Sequence, residues 1–199
     1  MNIDNKLDAS VLAEKNLSVP FVGPDNRKGA RMSGEALAKA LKPGDPVAII
    51  EGIASTDNGR QRKLGFEDAV KGGGLKIVAS RPAMWETDQA KQVAAAMIAE
   101  HPDLRGILAG NDSMALGAAA AIQEAGKVDQ ILLVGFDAIS PARALMREKR
   151  MLATVNQHAD QLAIYGIEYA LEILKNSAIP GDRETPVHLV TAESLTAQP

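Results

Sequence analysis

Side chains that form hydrogen bonds follow the ends of several predicted strands in this sequence, directly or after a short loop. They are one arginine, two amides and one carboxylate: Arg60, Asn111, Gln157 and Asp137. A carboxylate accepts hydrogen bonds, an arginine donates them in a fixed fork, and an amide does both. The single tryptophan, Trp85, follows another strand, where its apolar face could cover the C–H face of a sugar ring. This set of groups matches the needs of a neutral ligand with several hydroxyl groups.

Apolar runs that predict strands alternate along the chain with segments that predict helices. The predicted strands cover residues 19–23, 47–50, 75–79, 106–110, 131–135, 152–155 and 187–190. The predicted helices cover residues 26–41, 56–70, 87–100, 111–126, 141–149 and 160–175, and the clearest loop covers 176–186. Repeated strand–helix units predict an α/β fold with an open, mostly parallel sheet and helices on both faces. Ligands bind beyond the carboxyl ends of the strands in such sheets, where the side chains named above lie.

Composition and charge exclude several kinds of site. The 199 residues carry a net charge of −3 and no cysteine, so the sequence predicts neither a nucleic-acid surface nor a disulfide or zinc–thiolate site. No apolar run reaches the roughly 18 residues that a membrane span needs. The sequence also lacks phosphate-cradling loops, dinucleotide fingerprints and clusters with metal-ligand spacing. We therefore expect no cofactor, no metal, no nucleic-acid partner and no direct insertion into a membrane.

Groups for catalysis fit poorly into this pattern. The histidines are scattered at His101, His158 and His188, and no nucleophile-elbow motif is present. Two carboxylates, Asp137 and Glu51, could serve a glycosidase, so an enzyme that acts on sugars stays open as an alternative. We expect a protein that binds its ligand without converting it.

Each candidate residue also has a simpler structural interpretation. Asn111 could serve merely as a helix cap, and Asp137 could serve merely as a turn former. Arg60 could be one more charge on a helix surface, and Trp85 could cover an edge of the core. The sequence alone leaves both interpretations of each residue open.

Five motifs occur in an order that is typical of a known family. They are Val22–Asn26, Glu51–Ile53 with Arg60–Phe66, Gly110–Ala118, Val134–Asp137, and Ala153–Gln157 with Asp160–Gln161. With these motifs the chain resembles the carboxyl-terminal part of the periplasmic sugar-binding proteins of ABC transporters, of the ribose-binding type within the LacI-like superfamily. The resemblance implies two lobes, joined by three crossovers, that close over a sugar like a hinge.

The resemblance also assigns ligand contacts to particular residues. It implies hydrogen bonds to the sugar from four side chains and ring packing from two: Arg60, Asn111, Asp137 and Gln157, then Trp85 and Phe136. Asp4 matches an aspartate that the family carries on the amino-terminal lobe. Asn5 stands where ribose-binding members carry an arginine, so pentoses, hexoses and polyols all remain candidate ligands.

The same resemblance divides the chain between two lobes. It implies that about 100 residues of an amino-terminal lobe lie outside this sequence, and that residues 1–21 and 157–188 belong to that lobe. Residues 22–156 would form the carboxyl-terminal lobe, and 189–199 would return to it. The helix predicted over 160–175 carries an apolar stripe, so we expect it to self-associate, to fold back on its own lobe or to be poorly ordered. Sugar binding by half a pocket is expected to be weak.

The location, the partners and one rival family follow from the same motifs. The resemblance implies a periplasmic protein that delivers a monosaccharide or polyol to an ABC permease, although the first six residues show no signal-peptide pattern. The alternative is the effector-binding domain of a LacI-type transcriptional regulator, which shares the fold and fits Asn111–Gly117 nearly as well. Regulators of that type usually approach the Gly-Phe-Asp motif through a proline, which Gly126–Gln130 lacks.

Overall fold

Nine strands and eight helices are present in residues 1–176 and 181–196, the part of the chain that the computed structural model describes. The strands are β1 (Asn2–Ile3), β2 (Phe21–Pro24), β3 (Pro46–Glu51), β4 (Lys76–Pro82), β5 (Gly106–Ala109), β6 (Leu132–Val134), β7 (Ala153–Asn156), β8 (Arg183–Thr185) and β9 (His188–Thr191). The helices are α1 (Ala9–Glu14), α2 (Asn26–Ala40), α3 (Asp57–Gly72), α4 (Thr87–Glu100), α5 (Asp112–Glu124), α6 (Ser140–Arg147), α7 (Ala159–Asn176) and α8 (Ala192–Thr196).

Six strands form one sheet in the order β4-β3-β5-β6-β7-β9, which we call, with α2 to α6 and α8, the large unit. Its strands pair in parallel except β9, which is antiparallel to β7. The apolar run Val47–Ile50 in β3 is wholly buried, as expected of a strand that is covered on both faces. Helices α2 and α3 pack on one face, and α4, α5 and α6 pack on the other. The predicted α/β fold with a mostly parallel sheet is confirmed.

The other three strands form a parallel sheet in the order β1-β2-β8, on which α7 packs. We call these strands, with α1 and α7, the small unit. Gly166 of α7 faces β1, where a side-chain carbon at this position would contact Ile3. Away from this contact, four large apolar side chains of α7 are between 49% and 80% exposed: Ile164, Ile167, Leu171 and Leu174. The helix packs on its three-stranded sheet, and self-association through this exposed face stays a prediction.

The chain crosses between the two units three times. It crosses between β2 and α2, between β7 and α7, and between β8 and β9. In the pairing of β7 with β9, Asn156 lies opposite His188, so the second and third crossings run side by side. The structure thus has the three crossovers that the resemblance implies.

Four elements differ from those predicted from the sequence. The segment 176–186, predicted as a loop, contains β8, and its residues 177–180 lie outside the described part of the chain. The strand predicted over 187–190 is β9, and it belongs to the large sheet rather than to the small one. Helices α1 and α8 had no predicted counterpart. The assignment of these segments to the lobes of a longer protein stays a prediction.

Candidate functional site

A cleft of about 250 Å³ lies where the two units meet, beyond the carboxyl ends of strands in the large sheet. Its lining brings together seven polar or aromatic side chains: Asp4, Asn58, Arg62, Trp85, Asn111, Asp137 and Gln157. Five of the predicted ligand contacts are in this set, although they come from distant parts of the sequence. Two predicted contacts, Arg60 and Phe136, are not.

Arg62 occupies the centre of the cleft, with a side chain that is almost wholly buried. Its Nε donates to Asn26 Oδ1 at 2.8 Å, and its Nη1 donates to the carbonyl oxygen of Gly110 at 3.0 Å. Nη1 also donates to Asp137 Oδ1, and Nη2 donates to Gln157 Oε1, both at 3.4 Å. Gln157 Nε2 in turn donates to Asp137 Oδ1 at 2.8 Å. Partners in the described residues thus use four of the five guanidinium N–H groups and leave one on Nη2.

Burial and charge act in opposite directions on the pKa values of this ion pair. Burial lowers the pKa of Arg62, and the carboxylates of Asp137, Asp4 and Asp112 oppose that shift. Burial raises the pKa of Asp137, while the Arg62 guanidinium opposes the rise and Asp4 adds to it. Because arginine stays protonated in proteins, Arg62 supplies the positive charge that favours the ionised form of Asp137 at this depth.

The structure does not place Arg60 at the cleft, contrary to the prediction. Its Nη1 donates to the carbonyl oxygen of Ser55 at 2.9 Å, its Nη2 lies 3.7 Å from Asp57 Oδ1, and almost half of its side chain is exposed. Arg60 and Arg62 are two residues apart on α3, so they point about 200° apart around the helix axis. Arg62 precedes the buried Phe66 by four residues, and this helical spacing is the sequence signal that identifies the inward arginine.

Phe136 lies beneath the cleft rather than on its surface. None of its side chain is exposed, and the Arg62 guanidinium carbon lies 3.7 Å from the centroid of its ring. Helix α2 lies against the ring at Gly29, where an added side-chain carbon would press on the ring. The prediction that Phe136 packs against a ligand is therefore not met by this geometry, in which the ring supports Arg62 instead.

Trp85 forms one wall of the cleft, with its ring centroid 5.5 Å from the Arg62 guanidinium carbon. The ring lies directly against the backbone of Gly52, where any side chain would collide with it, and close to Gly110. The indole is partly exposed. An apolar ring surface therefore stands beside the polar groups of the cleft, so the cleft can contact both an apolar face and polar groups of one ligand.

Asn111 has two roles in one position. Its Oδ1 accepts a hydrogen bond from the backbone N–H of Met114 at 2.8 Å, so the residue is the N-cap of α5. The same residue lines the cleft. With Oδ1 engaged in the cap, Nδ2 is the group that can donate to a ligand. The interpretation of Asn111 as a helix cap is confirmed, and it leaves the ligand role open.

Unusual backbone conformations are concentrated around the cleft. Three of its residues have a positive φ although they are not glycine: Asp4 at 68°, Trp85 at 68° and Asp137 at 113°. Their neighbours in the loops include Ala138 at 56° and His158 at 52°. Side chains make this region of backbone space unfavourable, and residues held in it cluster at binding and catalytic sites. The backbone thus marks the same place as the polar side chains.

The small unit contributes only Asp4 to the lining of the cleft. The next residue, Asn5, contacts the large unit rather than the cleft: its Oδ1 accepts from the backbone N–H of Asn58 at 3.2 Å. Asn58 lines the cleft but was missed in the sequence. It lies in the first turn of α3, where a polar residue is ordinary, so no signal in the sequence could have singled it out.

Of the groups considered for catalysis, Asp137 lines the cleft, whereas Glu51 and the three histidines are not part of its lining. His158 Nε2 and His188 Nδ1 are 2.6 Å apart near the second and third crossings. The carboxylate of Glu51 accepts from Lys63 Nζ at 2.8 Å and from Ser80, and it is not part of the lining. Within residues 1–176 and 181–196, no cluster of histidine and acidic side chains could hold a metal ion, and no helix could cross a membrane.

Residues 6–178 match the family model described as a periplasmic binding protein domain. The chain belongs to this family. Among curated relatives, the D-ribose/D-allose-binding protein of Pseudomonas aeruginosa is 50% identical over 196 residues, which make up 96% of this chain and 61% of the relative. The chain therefore spans less than two thirds of the length of that relative. The family that the sequence motifs indicated is confirmed.

Two solved structures of periplasmic binding proteins closely match the fold of this chain. A solute-binding protein from Actinobacillus succinogenes with bound D-allose has a TM-score of 0.93 and 35% identity, covering 98% of this chain and 68% of that one. The Caulobacter myo-inositol-binding protein with bound myo-inositol has a TM-score of 0.90 and 28% identity, covering 98% and 66%. The similarity thus includes family members that hold a sugar and a polyol.

Proposed function

We propose that this chain is the ligand-contacting part of a solute-binding protein of an ABC-type importer, and that its cleft binds a monosaccharide or a polyol. The observation that carries the proposal is the hydrogen-bonding capacity left around Arg62. One N–H on its Nη2 remains, and neither Arg62 nor Gln157 uses the second carboxylate oxygen of Asp137. The Nδ2 of Asn111 also has no partner among the described residues.

These groups suit two neighbouring hydroxyl groups on a neutral molecule. Each hydroxyl can donate to the carboxylate of Asp137 and accept from Arg62 or Asn111. The opposite charges of Arg62 and Asp137 compensate each other, which disfavours a charged ligand that would pair with only one of them. The ring of Trp85 supplies an apolar surface for the C–H face of the same molecule.

The relatives support this ligand class and a role in transport. One is named for D-ribose and D-allose, and the similar structures hold D-allose and myo-inositol. Other relatives are named ribose import binding proteins, which favours import over transcriptional regulation and over catalysis. A periplasmic location and an ABC permease as partner belong to the same proposal.

Affinity for a sugar should be weaker than micromolar in this chain. The small unit supplies only Asp4, so a ligand in the cleft stays in contact with water on its other side. Hydrogen bonds that compete with water contribute little net free energy, and the ligand still loses its translational freedom. Micromolar or tighter binding would contradict this expectation.

Titration of D-ribose, D-allose and myo-inositol tests the proposal, with Trp85 fluorescence and NMR as readouts. Trp85 is the only tryptophan, so its emission reports on the cleft alone. We expect a saturable change with at least one of these compounds and no conversion of it to a product. Asp137→Asn should weaken binding about tenfold, because it removes a charged acceptor. Asp68→Asn, which alters an exposed ion pair with Arg27, is the matched control; equal binding by both variants would refute the proposed site.

A further inference from the structure

The loop between β6 and α6 brings Asp137 into the cleft through a backbone turn that few side chains allow. The φ angles are 113° at Asp137 and 56° at Ala138, and neither residue is a glycine. Such a turn is unfavourable in isolation and persists only where neighbouring groups hold it. The groups that hold this one do not line the cleft.

Asp112, the first residue of α5, holds the loop on both sides of Asp137. Its backbone N–H donates to the carbonyl oxygen of Phe136 at 2.7 Å. Its carboxylate oxygen Oδ2 accepts from the backbone N–H of Ile139 at 3.0 Å. Because one residue makes both contacts, the residues before and after the turn are fixed relative to each other.

Thr154 on β7 completes this network. Its hydroxyl donates to Asp112 Oδ1 at 2.7 Å and accepts from the backbone N–H of Ala138 at 3.2 Å. Neither Asp112 nor Thr154 is exposed to solvent. The two backbone N–H groups that follow Asp137 in the chain therefore each have an acceptor, and both acceptors are tied to one another.

A carboxylate is an unfavourable group to place at this position. Burial raises the pKa of Asp112 to about 7, although the hydrogen bonds that it accepts lower the pKa. The charged side chains that act on Asp112 are Asp137 and Arg62. The neighbouring Gly135 leaves room for it, since an added carbon there would collide with Asp112 Oδ1. An apolar side chain would fill the space without loss of hydration. The hydrogen bonds that only an acceptor can make thus explain why an aspartate, and not an apolar residue, occupies this position.

We propose that Asp112 and Thr154 are positioning residues of the cleft: they fix the turn at Asp137 and Ala138 so that the Asp137 carboxylate meets Arg62 and a ligand. The expected effect on sugar affinity rests on the proposed function. The expected effect on the loop does not, because the network lies within the chain itself.

Substitutions at the two residues distinguish a positioning role from a role in packing alone. Thr154→Val keeps the shape of the side chain and leaves the N–H of Ala138 without an acceptor, whereas Thr154→Ser keeps the hydroxyl. Asp112→Asn keeps one oxygen for Ile139 and can turn its amide group toward the hydroxyl of Thr154, so it preserves the turn and removes the titration. Thr154→Cys, a weaker acceptor of similar size, replaces Thr154→Val if that variant does not fold.

NMR of the whole chain gives the first readout, through the backbone amides of 137–139 and the carboxyl titration of Asp137. We expect Thr154→Val to shift these amides and to raise the pKa of Asp137, because its carboxylate moves away from Arg62. Thr154→Ser and Asp112→Asn should stay near the wild type. Ser33→Ala removes a buried hydroxyl from α2 and is the control. Unchanged amides and an unchanged Asp137 titration in Thr154→Val would overturn the proposal.

Titration with D-allose gives the second readout. We expect Thr154→Val to weaken binding about tenfold and Thr154→Ser to stay within about twofold of the wild type. If the wild-type chain binds no D-allose, D-ribose or myo-inositol, the proposed function fails while the NMR result still decides the positioning role. If the wild type binds D-allose and Thr154→Val binds it equally well, the positioning role is overturned.

Discussion

In the large unit, helices cover both faces of a six-stranded sheet, whereas in the small unit one long helix covers three strands of two to four residues. Of thirteen exposed large apolar side chains in the described part of the chain, nine lie in residues 1–17 and 164–174. Those segments are much the smaller part of the chain. The difference teaches that the residues present complete the core of the large unit but leave that of the small unit open.

The closest helix contacts give the largest expected difference between the units. Gly117 of α5 lies against α4, where an added carbon would collide with the carbonyl oxygen of Thr87, and backbone cannot move aside as a side chain can. We expect Gly117→Ala to lower the free energy of unfolding by about 3 kcal/mol. Chemical denaturation followed by circular dichroism measures this change.

Gly166 of α7 is the matched position in the small unit. An added carbon there would meet Ile3 Cγ2 at 3.2 Å, and the end of this side chain can shift. Alanine also favours a helix more than glycine does, so Gly166→Ala should raise the free energy of unfolding by about 0.5 kcal/mol. Equal destabilisation by the two substitutions would show that the small unit is packed as tightly as the large one.

The pH dependence of stability should also differ between the units. In the large unit the folded pKa of Asp112 is raised to about 7, so between about pH 4 and 7 the folded state keeps a proton that the unfolded chain releases. Stability from this group therefore falls as pH rises through that range. In the small unit the Lys6 ammonium lowers the pKa of Asp182, so stability from that exposed pair is lost only as pH falls below about 4.

Asp112→Asn tests this contrast, because it removes the titration and keeps the shape. Between pH 4.5 and 7.5 the free energy of unfolding of the variant should rise by about 3 kcal/mol relative to that of the wild type. Denaturation curves across that range measure the difference. Parallel pH profiles for the two proteins would place the pKa of the folded Asp112 near its ordinary value.

The smallest expected effect on folding, and the clearest on assembly, concerns the exposed face of α7. Ile167 and Leu174 are 64% and 80% exposed, so replacing both with lysine should change the free energy of unfolding by less than about 0.5 kcal/mol. We expect the wild-type chain to self-associate through this face and the double variant to sediment as a monomer. Glu172→Lys changes the charge by the same amount and is the control. A wild-type chain that stays monomeric at high concentration would contradict this expectation.

The fold and most of the cleft followed from the sequence because their signals are local. Apolar runs and helix caps mark strands and helix starts, and residues such as Asn111 and Asp137 follow strand ends whose position the fold class determines. The choice between Arg60 and Arg62 depended on the rotation of α3 about its axis. That rotation is set by buried residues such as Phe66. A motif alone does not show which arginine faces inward; the spacing of each arginine from the buried residues of the helix does.

Other features depend on contacts between distant segments. Phe136 has the type of a ligand-packing residue, but the Arg62 side chain lies over its ring. Strand β8 has three residues and no alternating pattern, and its pairing with β2 is what makes it a strand. The proximity of His158 to His188 arises from crossings that run side by side. None of these can be read from a single stretch of sequence.

The outer strands of the large sheet bear on the kind of assembly that this chain can form. β4 ends at Pro82, begins with the exposed Lys76, and pairs with β3 through a register shift between Val47 and Ala48. The opposite edge, β9, is a short antiparallel strand. Irregular, charged or short edges resist the addition of strands from other molecules. Any oligomer should therefore be held together by side-chain contacts and dissociate on dilution, instead of growing into amyloid-like fibres.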